Sequence, residues 1–523
     1  MTFSPLVRTR AVRYHENAAR LFAHLGGTVA DDAVLLESAD IASKEGLHSV
    51  MVLRGSVRVT CNHNDVTAEP LTPSGVAIVQ RLAEQLSSDV SRETSEETVF
   101  HFPVSTAVDE RERLTALSSV EPLRRLQTDA GYLTEDASLP FLAGGIAFDH
   151  LASFEDLPSV EDSGNTYPDY QFLLAEVVLS IDHQAQSALL AGVVADGSGV
   201  DKLDAELDRL AALCNDYETQ PEKSMVSRET IVATASIPDA DYRAMVTNLQ
   251  AHIHNGDIYQ VVPARSFTMP CPDAFAAYQQ LKEHNPSPYM FYVRGQSAGE
   301  TYELFGASPE SNLKFTADTR IVELYPIAGT RPRGLNPDGS VNHELDIRAE
   351  LELRTDAKEI SEHTMLVDLA RNDLARVAVP ATRRVEELLQ VDRYSRVMHL
   401  VSRVSAELAP DLDALDAYRA CMNMGTLTGA PKIRATELLR EAEGTRRGSY
   451  GGAVGYLRGN GDMDTCIVIR SAFVSKGVAI VQAGAGVVRD SQPQSEADES
   501  LHKAYAVLHA IATAAGARLE VQR

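Results

Sequence analysis

Apolar positions along this chain follow two different periods. HSVMVLRGSVRVTC (His48–Cys61) is a short, strand-like apolar run, whereas GVAIVQRLAEQL (Gly75–Leu86) carries apolar residues at helical spacing. In the second half YELFGAS (Tyr302–Ser308), GSYGGAVGYL (Gly448–Leu457), TCIVIRSAFV (Thr465–Val474) and GVAIVQAGAGVV (Gly477–Val488) read as strands. DAKEISEHTMLVDLARN (Asp356–Asn372), PKIRATELLREAE (Pro431–Glu443) and SEADESLHKAYAVLHAIATAAG (Ser495–Gly516) read as helices. Near the C-terminus several strands follow one another with no helix between them. That favours a mixed, largely antiparallel α+β architecture over an alternating one. No fixed-period repeat occurs, which argues against a solenoid or propeller.

Two polar stretches, Ser87–Thr98 (SSDVSRETSEET) and Thr219–Thr230 (TQPEKSMVSRET), read as surface loops or linkers. The second separates an N-terminal part, residues 1–220, from a C-terminal part, residues 229–523. The length of 523 residues fits more than one unit, and 44% hydrophobic with 23% charged residues is a globular composition. No apolar run approaches the roughly 18 residues of a membrane span, and the first residues lack an export signal, so a cytoplasmic protein is expected. Five cysteines without a C-x-x-C pair suggest free thiols rather than disulfides or zinc. A net charge of −26 disfavours nucleic acid and anionic membranes, so an anionic substrate needs local attraction from arginines or a metal.

Several familiar motifs fail. Gly484–Gly486 lacks the third glycine and the helix of a dinucleotide fingerprint. GTLTGAPK (Gly425–Lys432) has the wrong spacing for a phosphate loop, and GASPE around Ser308 lacks the last glycine of a nucleophile elbow. Three constellations survive. In PQSEADESLHKAY, Ser495 and Asp498 read as a capping box, with Glu496 and Glu499 on one helix face and Lys503 one turn beyond. On that segment alone, acidic residues complementing a helix N-terminus are the favoured reading. In the Asp356–Asn372 helix, Glu359 and Glu362 lie one turn apart, and Glu362 borders the side carrying Ile360, Met365, Leu366 and Leu369. Two helices each offering a carboxylate suit Mg²⁺, which keeps waters and takes substrate oxygens. In TCIVIRSAFV, Arg470 sits in mid-strand and either points to solvent or clamps a carboxylate. The small residues of QAGAGVV and the glycine pair beside Tyr450 would let backbone amides approach a ligand.

PIAGTRPRG, SEHTMLVDLARNDL, MNMGTLTGAPK, GSYGGAVGY, IVIRSAF, QAGAGVV and SEADE resemble the chorismate-utilising enzymes, and among them the large component of anthranilate synthase. The resemblance runs from Ile231 to the C-terminus and is present, more weakly, in LLESAD (Leu35–Asp40). It implies large antiparallel sheets sandwiched by helices, with chorismate and Mg²⁺ deep between them. It implies that Glu362 and Glu499 hold Mg²⁺, with Glu496 beside them. Tyr450, Arg470, Gly484, Ala485 and Gly486 would hold the enolpyruvyl end, with Gly329 and Thr330 also touching substrate. Glu310 would be the general acid for the departing C4 hydroxyl, and His399 and Thr426 would serve pyruvate elimination.

Ala328 and Gln260 narrow the expected reaction. Relatives that make aminodeoxychorismate carry a nucleophilic lysine where this chain has Ala328, and relatives that activate water carry a lysine where it has Gln260. Alanine has no nucleophile and glutamine is no base at neutral pH, which leaves ammonia to attack C2. The resemblance then implies anthranilate and pyruvate as products by way of aminodeoxyisochorismate, the first step of tryptophan biosynthesis. Ammonia would come from a separate glutamine amidotransferase subunit, the component II partner. LLES with NPSPYMF (Asn285–Phe291) resembles a tryptophan feedback site, with Ser38, Pro288, Tyr289 and Met290 as contacts. Two alternatives are an aminodeoxyisochorismate synthase that stops before pyruvate loss and an inactive chorismate or tryptophan sensor.

Overall fold

The structure, a computed structural model, describes residues 5–38, 47–129, 139–218, 229–336, 338–394 and 396–523. Within them the strands hydrogen-bond into one extensive network, apart from Gln260–Val261 and Gly429–Ala430, which form a two-stranded sheet of their own. The network is antiparallel except where Thr230–Ala235 runs parallel to Arg518–Gln522. The expected α+β class is found.

Three apolar clusters give the layering. One packs Phe291, Val293, Tyr302, Leu304, Val454, Val468 and Phe473 against Val34, Val52, Leu173 and Ala175, almost all of them strand residues. Alternate residues of the same strands face outward to helices. Tyr292, Phe305 and Ala307 join the cluster of the Ala274–His284 and Pro493–Ala514 helices, whereas Phe172 and Leu174 join that of the Pro73–Gln85 and Ala357–Ala375 helices. Period-two alternation therefore builds a sandwich of sheets with helices on both outer sides.

Most of the linker expected around Thr219–Thr230 lies outside the described residues. On either side of it, strands of the two parts pair directly. Ala33–Glu37 pairs with Tyr289–Ser297, and Phe141–Ile146 pairs with Ala453–Arg458. The Ser87–Thr98 stretch departs from its expectation as a loop. Val90–Glu93 and Thr98–His101 form a short antiparallel hairpin there, with Thr98, Val99 and Phe100 buried.

Two local expectations are corrected. The Ser495–Asp498 capping box does not form, since the helix starts at Pro493 with Gln492 as its N-cap, leaving Ser495 inside it. TCIVIRSAFV is not one strand. Met463–Ile467 and Ser471–Ser475 are separate strands, and Arg470 between them has φ +51°. A non-glycine residue there costs on the order of 1–2 kcal/mol, and its carbonyl accepts the Ala307 amide at 3.1 Å.

Candidate functional site

A cavity of about 670 Å³ opens between the strands Ile327–Pro332 and Val397–Glu407, the helices Ala357–Ala375 and Pro493–Ala514, and the turn before Ala453–Arg458. Its wall includes Glu310, Gly329, Thr330, Glu362, His399 and Thr426. Tyr450, Arg470, Gly484, Gly486 and Glu499 complete it, so residues far apart in sequence converge on one space. Two expected residues stand behind that wall. Ala485 is fully buried and donates its amide to the Pro263 carbonyl (3.2 Å), and Glu496 is 3% exposed.

Glu310 occupies the connection between Glu300–Ser308 and Ser311–Thr316, where Ile467 donates its amide to the Glu310 carbonyl (3.0 Å). The Thr426 hydroxyl donates to its Oε1 at 3.1 Å. Burial pushes the Glu310 carboxyl up to about 8, more than Thr426 and Lys503 pull it down. It is therefore an acid that still holds its proton at neutral pH.

His399 faces it from the Val397–Glu407 strand. The Ile327–Pro332 strand slips register between Ala328 and Thr330 because Gly329, at φ +75°, is an extra residue in a bulge. The bulge sets Thr330 opposite His399, with Thr330 Oγ1 2.9 Å from His399 Nδ1. Burial and the neighbouring Arg470 charge push the imidazole down to about 4, so it is neutral at physiological pH. The Tyr450 hydroxyl is pushed up to about 12 by burial and stays protonated.

The two helices bring the acidic residues together. Asp356 caps one by accepting from the amides of Lys358 and Glu359, and its Oδ2 also accepts from Arg331 at 3.0 Å. Glu362 lies 3.6 Å from Lys358, and Glu499 2.7 Å from Lys503. Burial raises the Glu362 and Glu496 carboxyls. Burial also works against the Glu499 carboxylate, but Lys503, Lys358 and Arg470 outweigh it and hold that carboxyl below its ordinary value. Glu362 Oε1 and Glu496 Oε2 are buried without a hydrogen-bond partner. Buried carboxylate oxygens without a hydrogen bond, that of Glu362 held only by the Lys358 charge at 3.6 Å, fit a hard cation. Among the described residues no three His, Cys, Asp or Glu side chains already form a metal cage. The donor set thus suits a cation that keeps waters and takes substrate oxygens.

A family profile described as chorismate binding enzyme matches residues 78–509. The chain belongs to the chorismate-binding enzyme family. It is 50% identical to anthranilate synthase component 1 of Escherichia coli (strain K12) over 96% of this chain and 96% of that one. It is 49% identical to anthranilate synthase component 1 of Vibrio parahaemolyticus over 96% of this chain and 92% of that one. Among solved structures, anthranilate synthase component I from Streptococcus pneumoniae matches with a TM-score of 0.66 at 26% identity, covering 88% of this chain and 92% of that one.

For this chorismate-binding enzyme, some motif residues prove structural. Lys432 at the end of GTLTGAPK donates to Asp373 (2.6 Å) and to the Cys421 carbonyl (2.7 Å), which fastens the Thr426 segment to the Ala357–Ala375 helix. The glycines beside Tyr450 do not bare amides to a ligand. The Gly451 and Gly452 amides already donate to the carbonyls of Val468 (2.9 Å) and Ser449 (3.0 Å), and a Cβ on Gly452 would lie 2.1 Å from the Ile146 carbonyl oxygen, so Gly452 makes room for backbone of the first half. Lys358 was not singled out from sequence, although its spacing of four from Glu362 was a signal for it.

Ser38 lies at the end of Ala33–Glu37, its amide donating to the His48 carbonyl (2.9 Å), while Ala39 and Asp40 of LLESAD lie outside the described residues. Glu37 pairs with Met290, which places Ser38 across from Tyr289. Tyr289 and Met290 face opposite sides of their strand. Met290 is 1% exposed in the core, and the Tyr289 hydroxyl donates to Asp464 at 3.3 Å. The Asn285–Pro288 turn lines a second space of about 70 Å³ that shares Pro309, Thr330, His399 and Arg470 with the large cavity.

Proposed function

We propose that this chain is the chorismate-converting component of an anthranilate synthase, joining ammonia to chorismate and releasing anthranilate and pyruvate. One observation carries the reading. Ala328 and Gln260 line the same cavity as Glu310, Glu362 and Glu499, so neither position presents an amine to the substrate. The two lysines that do line it, Lys358 and Lys503, are ion-paired with Glu362 and Glu499.

Chorismate lies with its ring carboxylate toward Glu362 and Glu499 and its enolpyruvyl carboxylate on Arg470 and Tyr450. Glu362 and Glu499 would hold Mg²⁺, with Glu496 beside them, and the bound ion supplies Lewis-acid polarisation of the ring carboxylate. Glu310 delivers its proton to the C4 hydroxyl, which departs as water while the nitrogen of ammonia bonds to C2. The neutral His399, oriented through Thr330, then serves the loss of the C2 proton as the enolpyruvyl C–O bond breaks, with Thr426 holding Glu310 in place. Ammonia comes from an amidotransferase partner, and the enzyme works in the cytoplasm.

Tryptophan binds between Ser38 and the Pro288–Met290 segment. The space shared between the Asn285–Pro288 turn and His399 and Arg470 gives that binding a short path to the chorismate site. Incubation with chorismate, Mg²⁺ and ammonium, followed by product mass, tests the reading. Anthranilate and pyruvate are expected, and aminodeoxychorismate, isochorismate or salicylate as the main product would overturn it.

A further inference from the structure

The turn that presents Tyr450 is held by the first half of the chain as well as by its own. Phe148–Ser153 is a short helix directly after the Phe141–Ile146 strand, and Asp149 within it is buried. Asp149 Oδ2 accepts the Gly448 amide at 2.8 Å, and the Phe148 amide donates to the Gly448 carbonyl at 3.0 Å. Both backbone groups of Gly448, two residues before Tyr450, are thus bonded to the first half. Arg440 donates to Asp149 Oδ1 at 3.0 Å, which fixes the carboxylate in turn.

The Phe148 ring adds a second hold. The buried Arg447 guanidinium lies 4.5 Å from the centre of that ring and 5.6 Å from the centre of the Tyr450 ring. The same guanidinium donates to the carbonyls of Leu427 (2.8 Å) and Val262 (2.7 Å), both residues of the cavity wall. Asn165, also from the first half, donates to Ser449 Oγ at 3.0 Å and to Gln482 of the cavity wall at 2.8 Å. Gly451, at φ +80°, lies so close to Phe148 that an added Cβ would be 2.9 Å from Cδ2 of its ring. None of these first-half side chains lines the cavity.

We propose that Asp149 and Phe148 are positioning residues for Tyr450, so that the first half of the chain completes the chorismate site itself. The inference rests on the reading that Tyr450 contacts chorismate. A side chain that acts only through Tyr450 must lose its influence on substrate binding once the Tyr450 hydroxyl is gone, whereas general destabilisation does not.

The test is a double-mutant cycle on the full chain, with KM for chorismate and kcat measured separately in the ammonium reaction. Asp149→Leu is expected to raise KM by about tenfold with kcat changed much less, the pattern of lost ground-state binding. Asp149→Asn keeps an acceptor for the Gly448 amide and should restore KM to near the parent value. Tyr450→Phe should raise KM alone, and adding Asp149→Leu to it should bring little further increase. Additive effects, or an unchanged KM in Asp149→Leu, would overturn the inference while leaving the role of Tyr450 intact. An unchanged KM in Tyr450→Phe would instead overturn the assignment of Tyr450 to the substrate, and this inference with it. If Asp149→Leu yields no folded protein, Phe148→Leu removes the ring beside Arg447 and enters the same cycle with the same expected and overturning results.

Discussion

Replacing Glu310 by glutamine should leave the protein inactive and at the same time more stable. The Glu310 side chain is 4% exposed, and burial takes its carboxyl from 4.5 to about 8. In the unfolded chain the same group ionises near its ordinary value, so between the two values the folded state holds more protons than the unfolded one. Stability therefore falls as pH rises through that window, the reverse of an ion-paired carboxylate. At about 1.4 kcal/mol per pH unit, the buried acid costs about 3 kcal/mol at pH 7 and under about 1 kcal/mol at pH 5. Glutamine has nearly the same size and no proton linkage, so Glu310→Gln should exceed the parent by up to about 3 kcal/mol at pH 7. The other buried carboxyls, Glu362 and Glu496, contribute to both proteins and cancel in the difference. An amide has no proton to give the leaving hydroxyl, so turnover with ammonium should fall by about 10²-fold or more. Urea unfolding at pH 5 and pH 7 reads the first effect, and anthranilate fluorescence reads the second. A stability gap that does not widen with pH, or a variant with near-parent turnover, would refute the reasoning.

Three further outcomes can be checked directly. Glu362→Gln or Glu499→Gln should abolish Mg²⁺-dependent turnover and weaken Mg²⁺ binding in calorimetry while circular dichroism stays unchanged, since a site with few protein carboxylates cannot spare one. His399→Ala should slow the second step more than the first, so that mass spectrometry detects released aminodeoxyisochorismate; anthranilate as the sole product at parental rate would count against His399. Ser38→Arg should relieve tryptophan inhibition without changing ammonium-dependent turnover, and calorimetry showing undiminished tryptophan affinity would exclude Ser38 from that site.

How much of this was legible depended on whether a residue's partner was local. Glu359 and Glu362 on one helix face, or the strand at Tyr302–Ser308, follow from spacing alone and were found where expected. The convergence of Glu310, His399, Thr426 and Arg470 came from motif resemblance, because no local pattern brings four separate segments to one cavity. Arg470 shows the opposite failure. Its apolar neighbours extend a strand pattern on both sides, but the backbone turns at Arg470, and a period of two carries no mark of that turn. The SYGG glycines misled for a related reason. Their need for space comes from Ile146 and Phe148, about three hundred residues earlier.

The pairing of Ala33–Glu37 has a consequence for the birth of the molecule on the ribosome. One edge of that strand closes early, on Ser49–Val52, but the other waits for Met290–Arg294. At roughly 5–20 residues per second, the second edge stays open for on the order of ten to fifty seconds. During that interval the strand carries unpaired amides and carbonyls beside Val34 and Leu35, a template for pairing with any other nascent chain. The order of synthesis thus leaves apolar edges of the first half open until the second half is made, this one and that of Phe141–Ile146, which waits for Ala453–Arg458, and chaperone demand should concentrate there.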